Sequence, residues 1–146
     1  MTLGNDIEMN KETEPIKLVF TSYRGSIGID GLKVSIDKHS PKLCSYATLS
    51  FMVISAPRSL SAYNMERICT VVLDNNWGLI QDFISKIYEL GIRQLVLCCW
   101  CTKEQIAIGK FCSAGTIGRY IQDRADRDNE FEFPIETEYG DGREAL

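Results

Sequence analysis

A continuous apolar run at residues 95–100 is the strongest pattern of hydrophobic and polar positions in the chain. Polar residues bound it on both sides, and it is too short for a typical helix. Runs without alternation are typical of parallel strands that are covered on both faces. The run therefore predicts a central strand of a parallel sheet.

Apolar residues recur at helical spacing just before this run, which indicates an amphipathic helix. They are Ile80, Phe83, Ile84, Ile87 and Leu90. Asn75 or Asn76 is suited to cap the start of this helix, and Gly91 stands where a residue with left-handed backbone ends one. A helix, a glycine turn and a buried strand in succession form half of a β-α-β unit.

Further strands are predicted on both sides of this unit. Residues 16–23 are β-prone and give the first strand, and residues 32–37 alternate and give the second. Near the C-terminus Phe131, Phe133 and Ile135 alternate with glutamates, which is typical of a strand with one solvated face. An edge position suits that strand, because its acidic face discourages pairing with other chains.

The remaining segments predict helices, with one ambiguity. Residues 49–54 fit a strand and a buried helix equally, and residues 64–70 fit a short helix. A second helix is predicted at residues 114–127, although Gly115 and Gly118 each cost it about 1 kcal/mol relative to alanine.

These elements predict an α/β fold: a small single domain with a mainly parallel sheet, helices on both faces and a C-terminal edge strand. Residues 1–14 are polar and without period, which predicts a flexible N-terminal tail, and residues 15–146 form the domain. A chain of 146 residues is most simply one domain and is long enough to bury a sizeable core.

Composition is that of an ordinary globular protein, with 45% apolar and 25% charged residues. No apolar run approaches the ~20 residues that span a bilayer, so no membrane partner is expected. The N-terminus carries acidic residues early and lacks the apolar core of a signal peptide, which predicts a cytoplasmic protein. A formal charge of −4 argues against an extended nucleic-acid surface, but it is compatible with one small anion in a local pocket.

Four of the six cysteines lie in and after the central strand, at Cys98, Cys99, Cys101 and Cys112. Neighbouring strand residues point to opposite faces, so the first two are poorly placed to pair. Because residues 98–101 hold a run of three cysteines rather than a clean Cys-x-x-Cys pair, and His39, the only histidine, is far away in sequence, these residues are interpreted as reduced core thiols rather than metal ligands. No cofactor is predicted.

Small residues after the central strand predict a turn that opens the second helix. The N–H groups at a helix N-terminus are unpaired and lie under the positive end of the helix dipole, so they suit an anion. The candidate ligand-binding residues of this turn are Ser113, Ala114, Gly115, Thr116, Gly118 and Arg119.

The end of the first strand is expected to lie beside this turn, because ligands of parallel sheets bind beyond the carboxyl ends of the strands. The contributing residues are Thr21, Ser22, Tyr23, Arg24, Gly25 and Trp100. Hydroxyl and guanidinium groups suit phosphate oxygens, and aromatic faces suit a base, so the set predicts a pocket for a nucleotide or another phosphorylated small molecule. The structural alternatives are solvated arginines, a core tryptophan and glycines that only turn the chain.

The segment that begins at Cys112 resembles the phosphate-binding loop of cysteine-dependent phosphatases, in which a nucleophilic Cys is followed by five residues and an Arg. Six residues separate Cys112 from Arg119 here, and Phe111 stands where that family usually has His. The resemblance implies Cys112 as the nucleophile and Arg119 as the group that stabilises the developing charge.

Three short blocks resemble a second family, the domain-of-unknown-function 488 family of small α/β proteins from bacteria and phages. The blocks are Val19-Phe-Thr-Ser-Tyr23, Leu97-Cys-Cys-Trp-Cys101 and Phe111-Cys112. Ser113-Ala114 stands where that family has His-Arg. The resemblance implies an α/β fold without an agreed activity, and its phage members suggest a protein that sequesters a nucleotide signal of host defence.

Three functions follow, in this order. The first is binding of a phosphorylated small molecule without turnover, because no carboxylate pair or partner histidine supplies a catalytic base. The second is a cysteine-dependent phosphatase-like hydrolase. The third is a protein-interaction module that uses the acidic C-terminal strand. A homo-oligomer with its pocket at a subunit interface is compatible with the first.

Overall fold

The computed structural model describes residues 14–36, 47–49, 52, 62–101 and 112–142. Their secondary structure comprises, in chain order, β1 (Ile16–Ser22), β2 (Leu32–Ser35), β3 (Ala47–Thr48), α1 (Ala62–Asn75), α2 (Trp77–Glu89), β4 (Gln94–Cys99), α3 (Ser113–Asp128) and β5 (Ile135–Tyr139). None of these helices has the length and apolar character that crossing a bilayer requires.

The five strands form one sheet in the order β3-β2-β4-β1-β5, and every neighbouring pair is parallel. The apolar run predicted as a central strand is β4, which lies between β2 and β1 and is buried from Leu95 to Cys99. The last strand, β5, pairs with β1 at one edge. The α/β class, the parallel sheet and the C-terminal edge strand are therefore confirmed.

The main core lies on one face of the sheet, between the strands and the three helices. Leu18, Phe20, Leu95 and Leu97 supply the sheet side. The helix side is lined by Cys69 and Leu73 of α1, Ile80, Ile84 and Ile87 of α2, and Ile117 and Ile121 of α3. Because all three described helices contribute to this one cluster, they share one side of the sheet, which we call the helix face.

The opposite face is covered by the connection from β1 to β2, residues 23–31, rather than by a helix. Tyr23 is buried there with Val96 and Cys98, and Ile29 packs against them. This segment is built from turns, and it carries the chain from the end of β1 to the start of β2 across β4. The prediction of helices on both faces is therefore corrected for the described residues: helices cover one face of the sheet, and a turn segment covers the other.

The predicted amphipathic helix is α2, and its ends refine the prediction. Asn76 precedes the helix, but its side-chain amide donates to the Val72 carbonyl at 2.9 Å instead of capping α2. Gly91 has the expected left-handed backbone, with φ of 88°. Leu90 is 68% exposed, so its assignment to the buried face was wrong. It follows the last helical residue, where the helical period no longer sets the direction of a side chain.

The C-terminal strand begins later than its alternating pattern predicts. Phe131 and Phe133 precede β5, and Phe133 stacks on Tyr88 with the ring centroids 3.7 Å apart. Phe131 is buried against Trp77, which it meets edge-to-face. These two aromatic residues alternate because both close the end of the helix layer, rather than because they belong to a strand.

The other element predictions differ mainly in length. The helix predicted at residues 64–70 is α1, which extends from Ala62 to Asn75. The two N-terminal strands end at Ser22 and Ser35, slightly before their predicted ends. Most of the ambiguous stretch at 49–54, the predicted tail up to residue 13, and Phe111 lie outside the described residues.

The contact between α3 and β5 depends on the absence of a side chain at Gly118. A Cβ atom at this position would lie 2.7 Å from the Thr137 methyl carbon, and the Thr137 hydroxyl donates to the Gly118 carbonyl at 2.9 Å. We expect Gly118→Ala to lower the free energy of unfolding by about 1–2 kcal/mol, because the clash exceeds the gain in helix propensity.

The double variant Gly118→Ala/Thr137→Ser tests the cause, since serine keeps the hydroxyl and removes the methyl group. Urea unfolding of both single variants and the double variant should give a favourable coupling energy. Purely additive costs would show that the methyl contact is not the reason for the glycine.

Candidate functional site

The carboxyl ends of β1 and β4 lie side by side, with Ser22 in register with Cys99. Residues 23–31 follow β1 over one face of the sheet, whereas α3, the next described helix after β4, lies on the helix face. Adjacent parallel strands whose connections diverge to opposite faces create a crevice, and ligands of open α/β sheets bind in such crevices. The position predicted from the sequence is therefore the topological switch point of the sheet.

The turn after β1 is held by its own hydrogen bonds. Ser22 Oγ accepts from the Gly25 N–H at 3.0 Å, and Ser26 Oγ donates to the Tyr23 carbonyl at 2.6 Å. The Tyr23 hydroxyl lies 2.5 Å from Ser35 Oγ, which ties the turn to β2. Thr21 Oγ1 is buried and has no hydrogen-bond partner among the described residues. The turn is consequently a preformed part of the crevice wall.

The predicted residues of β1 are divided between the two faces of the sheet. The Ser22 side chain faces the helices, because its partner Cys99 belongs to the main core. Tyr23 points to the opposite face, and Thr21 is in register with Cys98 on that side. The prediction that all of them face the α3 turn was therefore wrong, since side chains alternate along a strand.

Trp100 and the two predicted arginines are the exposed members of the set. Trp100 is 57% exposed and meets the Tyr23 ring edge-on, with centroids 5.0 Å apart. The interpretation of Trp100 as a core residue is thus excluded. Arg24 and Arg119 are exposed, and neither forms an ion pair within the described part of the chain. The Arg119 guanidinium carbon lies 5.7 Å from the Phe20 ring centroid.

The segment predicted as an anion-binding turn is the first part of α3. The helix begins at Ser113, directly after Cys112. Ala114, Gly115 and Gly118 are buried, and Gly115 packs against Phe20, so none of the three lines an open cradle. Ser113 and Thr116 are half-buried. The helix predicted at residues 114–127 is thus confirmed as α3, and Cys112 is its N-cap, which the small-residue pattern did not reveal.

Cysteine sulfur atoms accept hydrogen bonds from some of the backbone amides at the start of α3. The Gly115 N–H donates to Cys112 Sγ at 3.4 Å, and the Ser113 N–H donates to Cys101. The Thr116 N–H donates to the Cys112 carbonyl at 2.9 Å. The predicted wrapping of this turn's main-chain amides around an external anion is therefore corrected, because the protein's own thiols take that position.

Three cysteines meet at the switch point. The sulfur atoms of Cys99, Cys101 and Cys112 all lie within 4.8 Å of one another, and the Cys99 and Cys112 sulfurs are 3.7 Å apart. Cys99 and Cys112 are buried, whereas Cys101 is half-buried. The sequence interpretation missed this cluster. The available signal was the Cys-x-Cys spacing at the end of a buried strand, together with a third cysteine at a helix N-cap.

The three thiols shift one another's pKa values in opposite directions. Hydrogen bonds from Cys101 and Cys99, then the Gly115 amide and the positive charge of Arg119, lower the pKa of Cys112, although burial opposes them. Hydrogen bonds with Cys101 and Cys112, together with burial, raise the pKa of Cys99. The hydrogen bond with Cys112 raises the pKa of Cys101, although the one with Cys99 lowers it.

Two open depressions that are lined by described residues lie at the other end of the sheet. One is formed by residues 30–32 and 92–94, at the starts of β2 and β4. The other lies between the end of α3 and the start of β5. Neither coincides with the switch point.

No family model, curated protein or solved structure matches the chain. The resemblance to the domain-of-unknown-function 488 family therefore stays a prediction. The function has to be inferred from the site alone.

Proposed function

We propose that the protein binds a phosphorylated small molecule, most simply a nucleotide, in the crevice between the carboxyl ends of β1 and β4. The observation that carries this proposal is the divergence of the two connections at Ser22 and Cys99, which creates the kind of crevice that α/β sheets use for ligands.

Exposed groups around the crevice suit the two parts of a nucleotide. Trp100 offers an aromatic face that the Tyr23 edge holds in place, and a base can stack on it. Arg24 and Arg119 offer guanidinium groups without ion-pair partners in the described residues, and these groups bind phosphate oxygens bidentately. Recognition of the phosphate is therefore assigned to side chains rather than to the amides of α3.

The hydrolase alternative has less support. A phosphatase nucleophile must reach phosphorus, but Cys112 is 4% exposed, and the helix begins at the next residue without an open loop. The interaction-module alternative rests on β5, whose Glu138 is paired with Lys17 of the same sheet at 3.3 Å. Neither observation favours these functions over binding without turnover.

We expect isothermal titration to detect binding of at least one member of a panel of nucleoside phosphates, cyclic nucleotides and ADP-ribose derivatives. Arg24→Ala and Arg119→Ala should each weaken that binding by about 10- to 100-fold, because each removes a charged hydrogen-bonding group. Acrylamide quenching of Trp100 should fall when the ligand binds, whereas Trp77 is only 6% exposed and should contribute little.

Arg127→Ala is the matched control, because Arg127 lies on the same helix but in its last turn. Its affinity should equal that of the unmodified protein. Absence of binding by every member of the panel would refute the proposal, and equal losses in all three arginine variants would reduce it to general charge attraction.

A further inference from the structure

The three-thiol cluster supports an inference that does not depend on nucleotide binding. We propose that Cys99, Cys101 and Cys112 form a binding site for one thiophilic metal ion, and that this ion is Zn²⁺.

The sulfur atoms of the cluster are spaced almost as the ligands of a zinc ion are. A Zn–S bond of about 2.3 Å in a tetrahedral centre places sulfur atoms about 3.8 Å apart. The Cys99 and Cys112 sulfurs are already 3.7 Å apart, and no pair in the cluster exceeds 4.8 Å. An ion could therefore bind after a contraction of about 1 Å at most, which rotation of the half-buried Cys101 side chain can supply.

The backbone holds two of the three cysteines in fixed positions. Cys99 is fixed in the central strand, and Cys112 is fixed as the N-cap of α3. The Ser113 and Gly115 amides donate to sulfur atoms of the cluster. Such outer-shell hydrogen bonds orient metal ligands and stabilise their thiolate form.

The net charge of the occupied site favours a divalent ion. Three thiolates and Zn²⁺ leave a single negative charge, whereas Cu⁺ would leave two. The positive end of the α3 dipole and the nearby Arg119 guanidinium can offset the single charge. Because charge in a buried place must be compensated, this balance favours the divalent ion.

Three protein ligands leave the fourth position of the ion to water or to an external thiolate. Cys101 is the half-buried member, so this position faces the exposed side of the cluster. Metal binding releases the thiol protons to solvent, and no oxidant or reductant is needed.

The test is a titration of the reduced, metal-free full chain with Co²⁺, followed by Zn²⁺. We expect one Co²⁺ per chain, with the near-ultraviolet absorption of sulfur-to-cobalt charge transfer and the visible bands of a tetrahedral centre. Zn²⁺ should displace it stoichiometrically. Cys101→Ser should weaken Zn²⁺ binding by at least about 100-fold, as loss of a direct ligand costs no less than loss of an outer-shell partner.

Cys98→Ala is the matched control, because Cys98 adjoins Cys99 but lies on the opposite face of the sheet. Its affinity for Zn²⁺ should be unchanged. If Cys101→Ser fails to fold, alkylation of the unmodified protein replaces it: Zn²⁺ should protect Cys101, the half-buried member of the cluster, from iodoacetamide, as read by peptide mass spectrometry.

Absence of a saturable Co²⁺ spectrum would overturn the proposal and leave three packed thiols. The proposal would also be overturned if Cys99 and Cys112 formed a disulfide and the protein still bound no metal after this bond was reduced. Neither result would affect nucleotide binding, which is measured separately and without metal.

Discussion

Truncation of Leu97 to alanine is expected to lower the free energy of unfolding by about 2–5 kcal/mol. Leu97 is fully buried in the middle of β4, between Val34 of β2 and Phe20 of β1. Its side chain faces the helices and lies beside Gly118 of α3. The neighbouring backbone belongs to a five-stranded sheet and cannot collapse into the space, so a cavity should remain. Chemical denaturation measures the loss.

Leu90→Ala provides the control for this prediction. Leu90 is the same residue type, but it is 68% exposed. Its truncation should leave the unfolding midpoint nearly unchanged, because little apolar surface returns to water. A comparable loss in both variants would contradict the placement of the core on the helix face of β4.

Replacement of Arg124 by methionine is expected to cost about 2–3 kcal/mol, less than the loss of one partner from a fully buried pair. The Arg124 guanidinium carbon lies 4.4 Å from the Trp77 ring centroid of α2. The same group meets Asp74 of α1 at 3.4 Å and Glu130, beyond α3, at 3.4 Å. A single cation thus joins all three helices to the segment before β5, and methionine would leave the half-buried Glu130 carboxylate without its cation.

Tyr120 reinforces this network. Its hydroxyl donates to Asp74 and accepts from Arg124 at 2.8 Å. Burial and the Asp74 carboxylate raise the pKa of Tyr120, so the phenol stays protonated as a donor. The loss of stability in Arg124→Met should therefore decrease at high salt, because salt screens the interactions of this cation. The loss in Leu97→Ala should not decrease in this way, because it involves no charge.

The matched control is Arg127→Met, three positions further along α3. Arg127 is 70% exposed and contacts the neighbouring Asp128. We expect no measurable change in its thermal midpoint, since an exposed ion pair contributes little. Equal effects at the two positions would indicate a general loss of helix charge rather than a network.

The sequence predicts the fold well where one physical rule decides the outcome. The apolar run of β4 cannot be a solvated strand, and the helical period of α2 ends at a glycine with positive φ. Phe131 and Phe133 mark the limit of this approach. Their period fits a strand, but packing against Trp77 and Tyr88 decides their conformation.

The candidate site could be predicted in position but not in chemistry. The end of β1 and the end of β4 are two points of one edge in any parallel arrangement, so Arg24 and Trp100 were expected together. The meeting of Cys99, Cys101 and Cys112 depends on where the chain returns from β4 to α3. A sequence pattern does not give the distance between the end of β4 and the start of α3. Each cysteine alone is a plausible core residue.

The place of β1 in the sheet has a consequence for biosynthesis. Its two neighbours, β4 and β5, are translated long after it. Until β4 emerges from the ribosome, the backbone of β1 has no neighbouring strand with which to form hydrogen bonds, although β1 carries Leu18, Val19 and Phe20. β1 can enter the sheet only when β4 has emerged, and β5 adds the edge strand beside it afterwards, so the nascent chain has to keep this apolar segment soluble until β4 is available.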